Sequence, residues 1–360
     1  MTKTQLLSGN EAIALAVNQA HAKVASAYPG TPSTEIMEII GERYAGRVNA
    51  EWSVNEKVAL EVAIGASIAG ARAFCAMKHV GLNVAMDPLM TYTFIGTNGG
   101  LVLLVADDPH LHSSQNEQDT RVLARFAKAA LLEPSDSQEA YDMTMAAFDI
   151  SEKYGTPVLV RSVTRLSHSS SPVTYDDEPL AIEKKPYVKD ITKTVAAPAF
   201  ARVMRGTVEK RTALLLAASE ASDLNRAEPG TDNTFGFVAS SIAYQHVKEV
   251  FPEFPVLKLG FTNPLPIEKV KAFAATVQRL VVVEELDPVM TEQIRAAGIS
   301  TVDFATPLSM LELTPARLLA LRDELRVPRV GADLCVRPGA HTGAPLRDNP
   351  APHFLTALKS

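Results

Sequence analysis

Glu56 is the carboxylate in this chain whose surroundings best suit chemistry. It stands near the start of Ser53 to Gly70, SVNEKVALEVAIGASIAG, a run in which nearly every residue from Val58 onward is small or apolar. A helix of that composition can be packed closely on several sides, which places its acidic head where a buried core meets a cleft, able to hold or take a proton. A first-turn glutamate favoured by the helix dipole is the plainer alternative. Other polar groups recur at loop positions. Thr31 lies in Pro29-Gly30-Thr31-Pro32-Ser33-Thr34-Glu35, which reads as a helix start capped by Thr31 and running to about Arg43. Such an end either binds an anion through its free amides or is simply a capped helix. Lys78, His79, Gly81 and Asn83 fall in a predicted loop after an apolar stretch. The thirteen largely polar residues Asp107 to Asp119 carry His112, Ser113, Gln115 and Asn116. A loop of that length is often functional, although a solvated surface loop has the same composition. Glu284, Glu285 and Asp287 suggest paired carboxylates, but at the end of a buried strand they are expected to cap the helix that follows.

The elements that must position these groups alternate along the chain. An amphipathic helix is predicted over Asn10 to Ala25, with Val24 to Tyr28 leading into the Thr31 segment. Strands are predicted at Arg47 to Trp52, Ala73 to Met77, Gly100 to Ala106 and Pro157 to Arg161, and a helix at Gln138 to Tyr154. GLVLLVA is the continuous apolar run of a fully buried parallel strand. This order sets segments 78–83 and 107–119 at the carboxyl edge of a parallel sheet, where open α/β folds bind ligands. Gly65 and Gly70 lower helix propensity by roughly 1 kcal/mol each relative to alanine, so another element is expected to approach the backbone there. From Ser167 to about Pro198 the apolar rhythm disappears, as in a linker. A helix near Arg202 to Ser222 precedes FGFVAS, AYQHVKEV, VLKLG, IEKVKAFA, LVVVEE and MTEQIRAA, a smaller parallel α/β unit. The expected divisions are 1–166, a linker at 167–200, 201–325, and a tail at 326–360 of unassigned role.

Composition narrows the function classes. The 360 residues, 46% hydrophobic and 21% charged, leave room for two globular domains. A formal net charge of -6 argues against nucleic-acid binding. The N-terminus lacks a secretory pattern, and no apolar run approaches the length of a membrane span, so a cytoplasmic protein is expected. Cys75 and Cys335 form no CxxC pair, and an iron–sulfur cluster normally takes four thiolates. Cys75, in ARAFCAM, is expected to be a packed core thiol.

The run AEWSVNEKVALEVAIGASIAGARA, followed by MKHVGLNVAMDPLM and ADDPHLHSSQNEQD, closely resembles the alpha subunit of the indolepyruvate ferredoxin oxidoreductases. These are thiamine diphosphate enzymes of the 2-oxoacid:ferredoxin oxidoreductase superfamily. The resemblance implies an α/β fold: a pyrimidine-type thiamine diphosphate domain with a parallel sheet, then a smaller transketolase C-terminal-like α/β domain matched at KLGF, PLP and EELDP. It implies that Glu56 contacts the aminopyrimidine ring, that Thr31, Gly81 and Asn83 lie at the cofactor, and that Thr31 also contacts substrate. Lys78, His79, His112, Ser113, Gln115 and Asn116 are the implied substrate pocket. Pyruvate-type relatives use an arginine near this loop for the substrate carboxylate. None stands between Asp107 and Thr120, which leaves His112 or Arg121 for that role.

The implied reaction is oxidative decarboxylation of a 2-oxo acid of the arylpyruvate branch, indolepyruvate foremost, to an acyl-coenzyme A, with electrons passing through iron–sulfur clusters to ferredoxin. The resemblance covers Ser8 to Leu325. Full-length members continue with a diphosphate domain opening on Cys-Pro-x-Cys-Pro and a ferredoxin-like domain, and this sequence has neither that motif nor a Gly-Asp-Gly run for Mg²⁺. Half an active site is therefore expected, inactive alone, in an oligomer whose Mg²⁺ and clusters come with diphosphate-domain and ferredoxin-domain chains and a beta- or gamma-type subunit. A catalytically silent scaffold or regulatory homologue is the alternative. HSSQNEQD and KHVGLN speak against a third, a thiamine enzyme with a lipoamide acceptor.

Overall fold

A computed structural model describes residues 2–306, 308 and 310–327. Strand β1 (Thr2–Ser8) ends in a capping box, in which the Ser8 hydroxyl takes the Glu11 amide while Glu11 takes the Ser8 amide, and this starts α1 (Gly9–Gln19). Strict alternation follows: β2 (Val24–Ala27), α2 (Thr34–Arg43), β3 (Asn49–Trp52), α3 (Glu56–Ile68), β4 (Ala73–Lys78), α4 (His79–Ile95) and β5 (Leu101–Asp107). After the 107–119 loop come α5 (Thr120–Ala127), β6 (Ala130–Leu132), α6 (Ser137–Tyr154), β7 (Val158–Val163), the short α7 (Thr164–His168) and β8 (Ser170–Asp176). Six parallel strands line up as β6-β7-β5-β4-β2-β3. Side chains alternate between two faces because successive residues of a strand point to opposite sides. Phe74, Ala76, Val102, Leu104, Val158 and Val160 pack under α1, α2 and α6. Cys75, Met77, Leu101, Leu103, Val105 and Leu159 pack under α3, α4 and α5.

The second unit begins with α8 (Ile191–Thr194) and the long α9 (Pro198–Ala221). It continues through β9 (Asn225–Glu228), β10 (Phe235–Ser240), α10 (Ser241–Val250), β11 (Val256–Leu259), β12 (Phe261–Asn263), α11 (Ile267–Ala274), β13 (Arg279–Val283), α12 (Val289–Ala296) and α13 (Pro315–Glu324). Its sheet runs β13-β10-β11-β9, and β12 leaves it to extend the first sheet beside β6.

Several local expectations are corrected. The first helix stops at Gln19, because Val24 onward pairs with both β3 and β4. Thr31 does not cap a helix: α2 starts three residues later, and the Thr34 hydroxyl turns back to accept the Gly30 amide at 2.8 Å. Segment 78–83 is not a loop, since α4 begins at His79 directly from β4. Within the stretch read as a connector, Ser170–Asp176 pairs antiparallel with β1 along its whole length, a partner that no local apolar pattern announces. The rest of that stretch is tied down too. The Lys185 amide donates to the Gly70 carbonyl at 2.9 Å, and a Cβ on Gly70 would lie 1.9 Å from the Lys185 oxygen. Gly70 is thus approached as expected, whereas Gly65 faces open space. The second sheet is mixed, because β9 runs antiparallel to β11. Past Val327, the tail and Cys335 lie outside the described residues.

Buried charge joins the two units. Arg161 on β7 donates to Asp107 at 2.6 Å and Glu133 at 2.7 Å, all three buried. Arg121 on α5 reaches Asp119 and, across the seam, Glu284 at 2.7 Å. Of the three carboxylates expected to cap the following helix, Glu284 does so by accepting the Met290 and Thr291 amides of α12, whereas Glu285 turns away from it. Glu285 takes the Leu313 amide at 2.8 Å, and the same residue's backbone bonds His246 of α10.

These last two groups respond to pH in opposite directions. Burial pushes the Glu285 carboxyl up to about 7, against the Leu313 amide and Arg161, so its contribution is present below about pH 4.5 and lost as pH rises through 7. Burial, with Arg165 nearby, pushes His246 down to about 4, so its contribution is present above about pH 6.5 and lost as pH falls through 4. Each is on the order of 3 kcal/mol at 1.36 kcal/mol per pKa unit, and they nearly cancel between pH 4.5 and 6.5. Urea unfolding followed against pH should therefore show Glu285→Gln gaining stability, relative to the parent, as pH rises through that window. His246→Gln should lose it. Parallel curves for all three proteins would refute both assignments.

Candidate active site

The candidate site lies at the carboxyl ends of β2, β3, β4 and β5. Asn55 accepts the Val58 amide at 2.9 Å and caps α3, which sets Glu56 in the first turn. The half-buried Glu56 side chain lies against Gly81 in the first turn of α4. A Cβ on Gly81 would come 2.6 Å from Glu56 Cγ and Oε1, so only glycine leaves the carboxylate its place. Among the described residues no hydrogen bond or ion pair engages that carboxylate. Beneath it, burial pushes the Cys75 thiol up to about 12, with the charge of Glu56 adding to the effect. Cys75 is the inert core thiol the sequence predicts.

Lys78 ends β4. Its stem packs 3.5 Å from where a Gly30 Cβ would stand, and its Nζ donates to the Ser113 carbonyl at 2.5 Å. Burial lowers its pKa, and Asp108 at 3.9 Å offsets this only in part. His79 Nε2 lies 3.2 Å from the Asn116 carbonyl, while its Nδ1 is buried without a partner among the described residues. Asp108 organises the loop by accepting the Ser113 amide at 2.8 Å and the hydroxyls of Ser114 at 2.5 Å and Thr164 at 2.9 Å. Burial raises the Asp108 carboxyl, but these bonds and Lys78 together hold it below the usual range.

The fold thus brings Glu56 and Gly81 into contact and joins Lys78 and His79 to Ser113 and Asn116. Thr31 is exposed beside Gly30, and Asn83 and Gln115 are exposed as well. His112 points elsewhere, 3.8 Å from Glu312, and Arg121 is spent on buried partners. Sequence reasoning passed over Asp108 and Ser114, although an Asp doublet directly after a buried strand is a signal for a side chain that folds its own loop. It also passed over Tyr28, Trp52 and Val54, which follow β2 and β3 and stay 40%, 44% and 80% exposed.

Residues 15–222 match the family described as pyruvate flavodoxin/ferredoxin oxidoreductase, thiamine diphosphate-binding. The chain belongs to this family. It is 46% identical over 305 residues to indolepyruvate oxidoreductase subunit IorA of Methanothermobacter thermautotrophicus, a match covering 82% of this chain and 49% of that one. The chain therefore spans about half the length of the curated relatives it matches. Among solved structures it is similar to 2-oxoglutarate:ferredoxin oxidoreductase from Magnetococcus marinus, with a TM-score of 0.74 at 18% identity over 89% of this chain and 65% of that chain. A split gene transketolase, in an inactive beta4 tetramer, gives a TM-score of 0.56 at 13% identity and is covered over 99% of its length, with 90% of this chain. Both likenesses are of fold: a thiamine-type pyrimidine domain followed by a transketolase C-terminal-like domain. Among the described residues no helix is long and apolar enough to cross a membrane.

The family's cofactor suits the residues at this edge, because an acceptor carboxylate lies unpaired over a glycine that no side chain could replace without displacing it. Gly81→Ala should raise helix propensity by about 1 kcal/mol while driving the flexible Glu56 side chain into another rotamer. A melting temperature equal to or above the parent's, together with a displaced Glu56 in the crystal structure, is the expected pair of results. An unmoved Glu56 would refute the contact.

Proposed function

We propose that this chain supplies the pyrimidine half of a thiamine diphosphate-dependent 2-oxoacid:ferredoxin oxidoreductase of the indolepyruvate type. The observation that carries this reading is the unpaired Glu56 carboxylate seated over Gly81 at the carboxyl edge. Thiamine diphosphate, when bound, supplies the nucleophilic carbon for decarboxylation of a 2-oxo acid. Glu56 would hold negative charge toward the pyrimidine ring and so favour its protonated form. Thr31, Gly81 and Asn83 would hold the pyrimidine end of the cofactor, and Thr31 would also contact substrate. Lys78, His79, Ser113, Gln115 and Asn116 orient the 2-oxo acid. With Arg121 locked in the seam and His112 turned to Glu312, the role of meeting the substrate carboxylate passes in this reading to the buried Lys78.

Exposed Tyr28, Trp52 and Val54 beside this edge support docking of a diphosphate-domain chain there, burying more than roughly 2,000 Å². That partner brings Mg²⁺. Ferredoxin-domain or beta- and gamma-type subunits bring iron–sulfur clusters, with coenzyme A as acyl acceptor and ferredoxin as electron acceptor, in a cytoplasmic complex. The division into 1–166, 167–200 and 201–325 belongs to this reading with its borders moved, because β8 joins the first unit through β1 and α9 already starts at Pro198.

Glu56→Gln keeps the size of the side chain but not its charge. In the reconstituted complex its turnover with indolepyruvate should fall by on the order of 10², the scale for removing an acid–base group, with the melting temperature unchanged. Glu51→Gln, on β3, is the control and should do far less. Full activity in Glu56→Gln, or equal loss in both variants, would sink the assignment.

A further inference from the structure

The 107–119 loop is closed at its base. Asp107 accepts the Thr120 hydroxyl at 2.5 Å and its amide at 3.2 Å, so the two ends of the loop meet. One arginine grips each end. Arg161 holds Asp107 within the first unit, together with Glu133. Arg121 holds Asp119 through Nε at 3.0 and 3.1 Å and Nη2 at 2.6 Å. Its remaining donors cross to the second unit, to Glu284 at 2.7 Å and to the carbonyls of Glu285 at 2.5 Å and Asp287 at 2.8 Å. The Asp287 amide returns a bond to Asp119 at 3.2 Å. A planar guanidinium makes this set of bonds, and an ammonium cannot.

We propose that Arg121 is a positioning residue that transmits the placement of the second unit's β13–α12 turn to the 107–119 loop, and so to the segment lying on Lys78 and His79. Its functional consequence rests on the reading of that loop as part of the active site. The physical coupling does not. The Arg121 guanidinium bonds Asp119, Glu284, Glu285 and Asp287 rather than Lys78 or His79, and so acts on the loop through Asp119. Its partners other than Asp119 lie in the second unit, so a change confined to that unit loosens the loop.

Hydrogen exchange on the full chain tests this, read at the Ser113 and Thr120 amides, which are bonded to Asp108 and Asp107. Arg121→Lys, and Glu284→Gln made across the seam, should each speed exchange there by about tenfold while β5 and β7 change little, since local openings have free energies of their own. The double variant should exchange no faster than Arg121→Lys alone, because that change already removes the contact to Glu284. Uniform loss of protection across the sheet, unchanged exchange in the loop, or additive effects would each overturn the proposal. If Arg121→Lys does not fold, Glu284→Gln decides alone. Measured in the reconstituted complex, a rise in KM for the 2-oxo acid exceeding the fall in kcat ties the loosened loop to substrate binding. A loosened loop with unchanged KM and kcat keeps the coupling and removes the loop from the active site.

Discussion

Two almost fully buried arginines, Arg161 and Arg121, hold the carboxyl edge on which the rest of this structure depends. Taking a guanidinium and its carboxylates out of water costs several kcal/mol per ion, and only multiple directed hydrogen bonds offset this. Arg161 meets that condition between Asp107 and Glu133, and Arg121 between Asp119 and Glu284. Such a network contributes little net stability. Removing one partner leaves an uncompensated buried charge, which makes the arrangement specific. It fixes where β5 ends, where α5 begins, and how the second unit sits against both.

That specificity matters because the candidate site is assembled from elements that share no local sequence. Glu56 arrives on α3 and Gly81 on α4. Lys78 ends β4, and the carbonyls of Ser113 and Asn116 arrive on a loop that springs from β5. Parallel strands with helical crossovers bring all these carboxyl ends to one side of the sheet. Asp108 then folds the loop down by accepting three hydrogen bonds, Lys78 donates to the Ser113 carbonyl, and His79 Nε2 lies against the Asn116 carbonyl. The Glu56 carboxylate has no hydrogen-bond or ion-pair partner among the described residues, and is placed by a cap on one side and by the absence of a side chain on the other.

The second unit is tied to this edge by more than a connector. Glu284 does two things at once, capping α12 and pairing with Arg121. Glu312 meets both Arg165 and His112, and β12 extends the first sheet beside β6. The two units therefore share backbone and charge.

By itself the sequence determined the alternation of strands and helices, the buried character of GLVLLVA, the inert Cys75 and the capping role of Glu284. These follow from periodicity, apolar runs and residue chemistry over a few positions. It also marked Glu56 as an acidic head on an apolar helix. Only the tertiary structure decided that Thr31 caps nothing, that Lys78 and His79 sit at a strand–helix junction, and that β8 pairs with β1 far away in sequence. Arg121 shows the reason most plainly. Its local sequence is that of an exposed first-turn residue, and it is buried because partners more than a hundred positions away close over it. Local pattern carries local hydrogen bonds and faces, whereas the partners of a long-range ion pair exist only once the chain has folded.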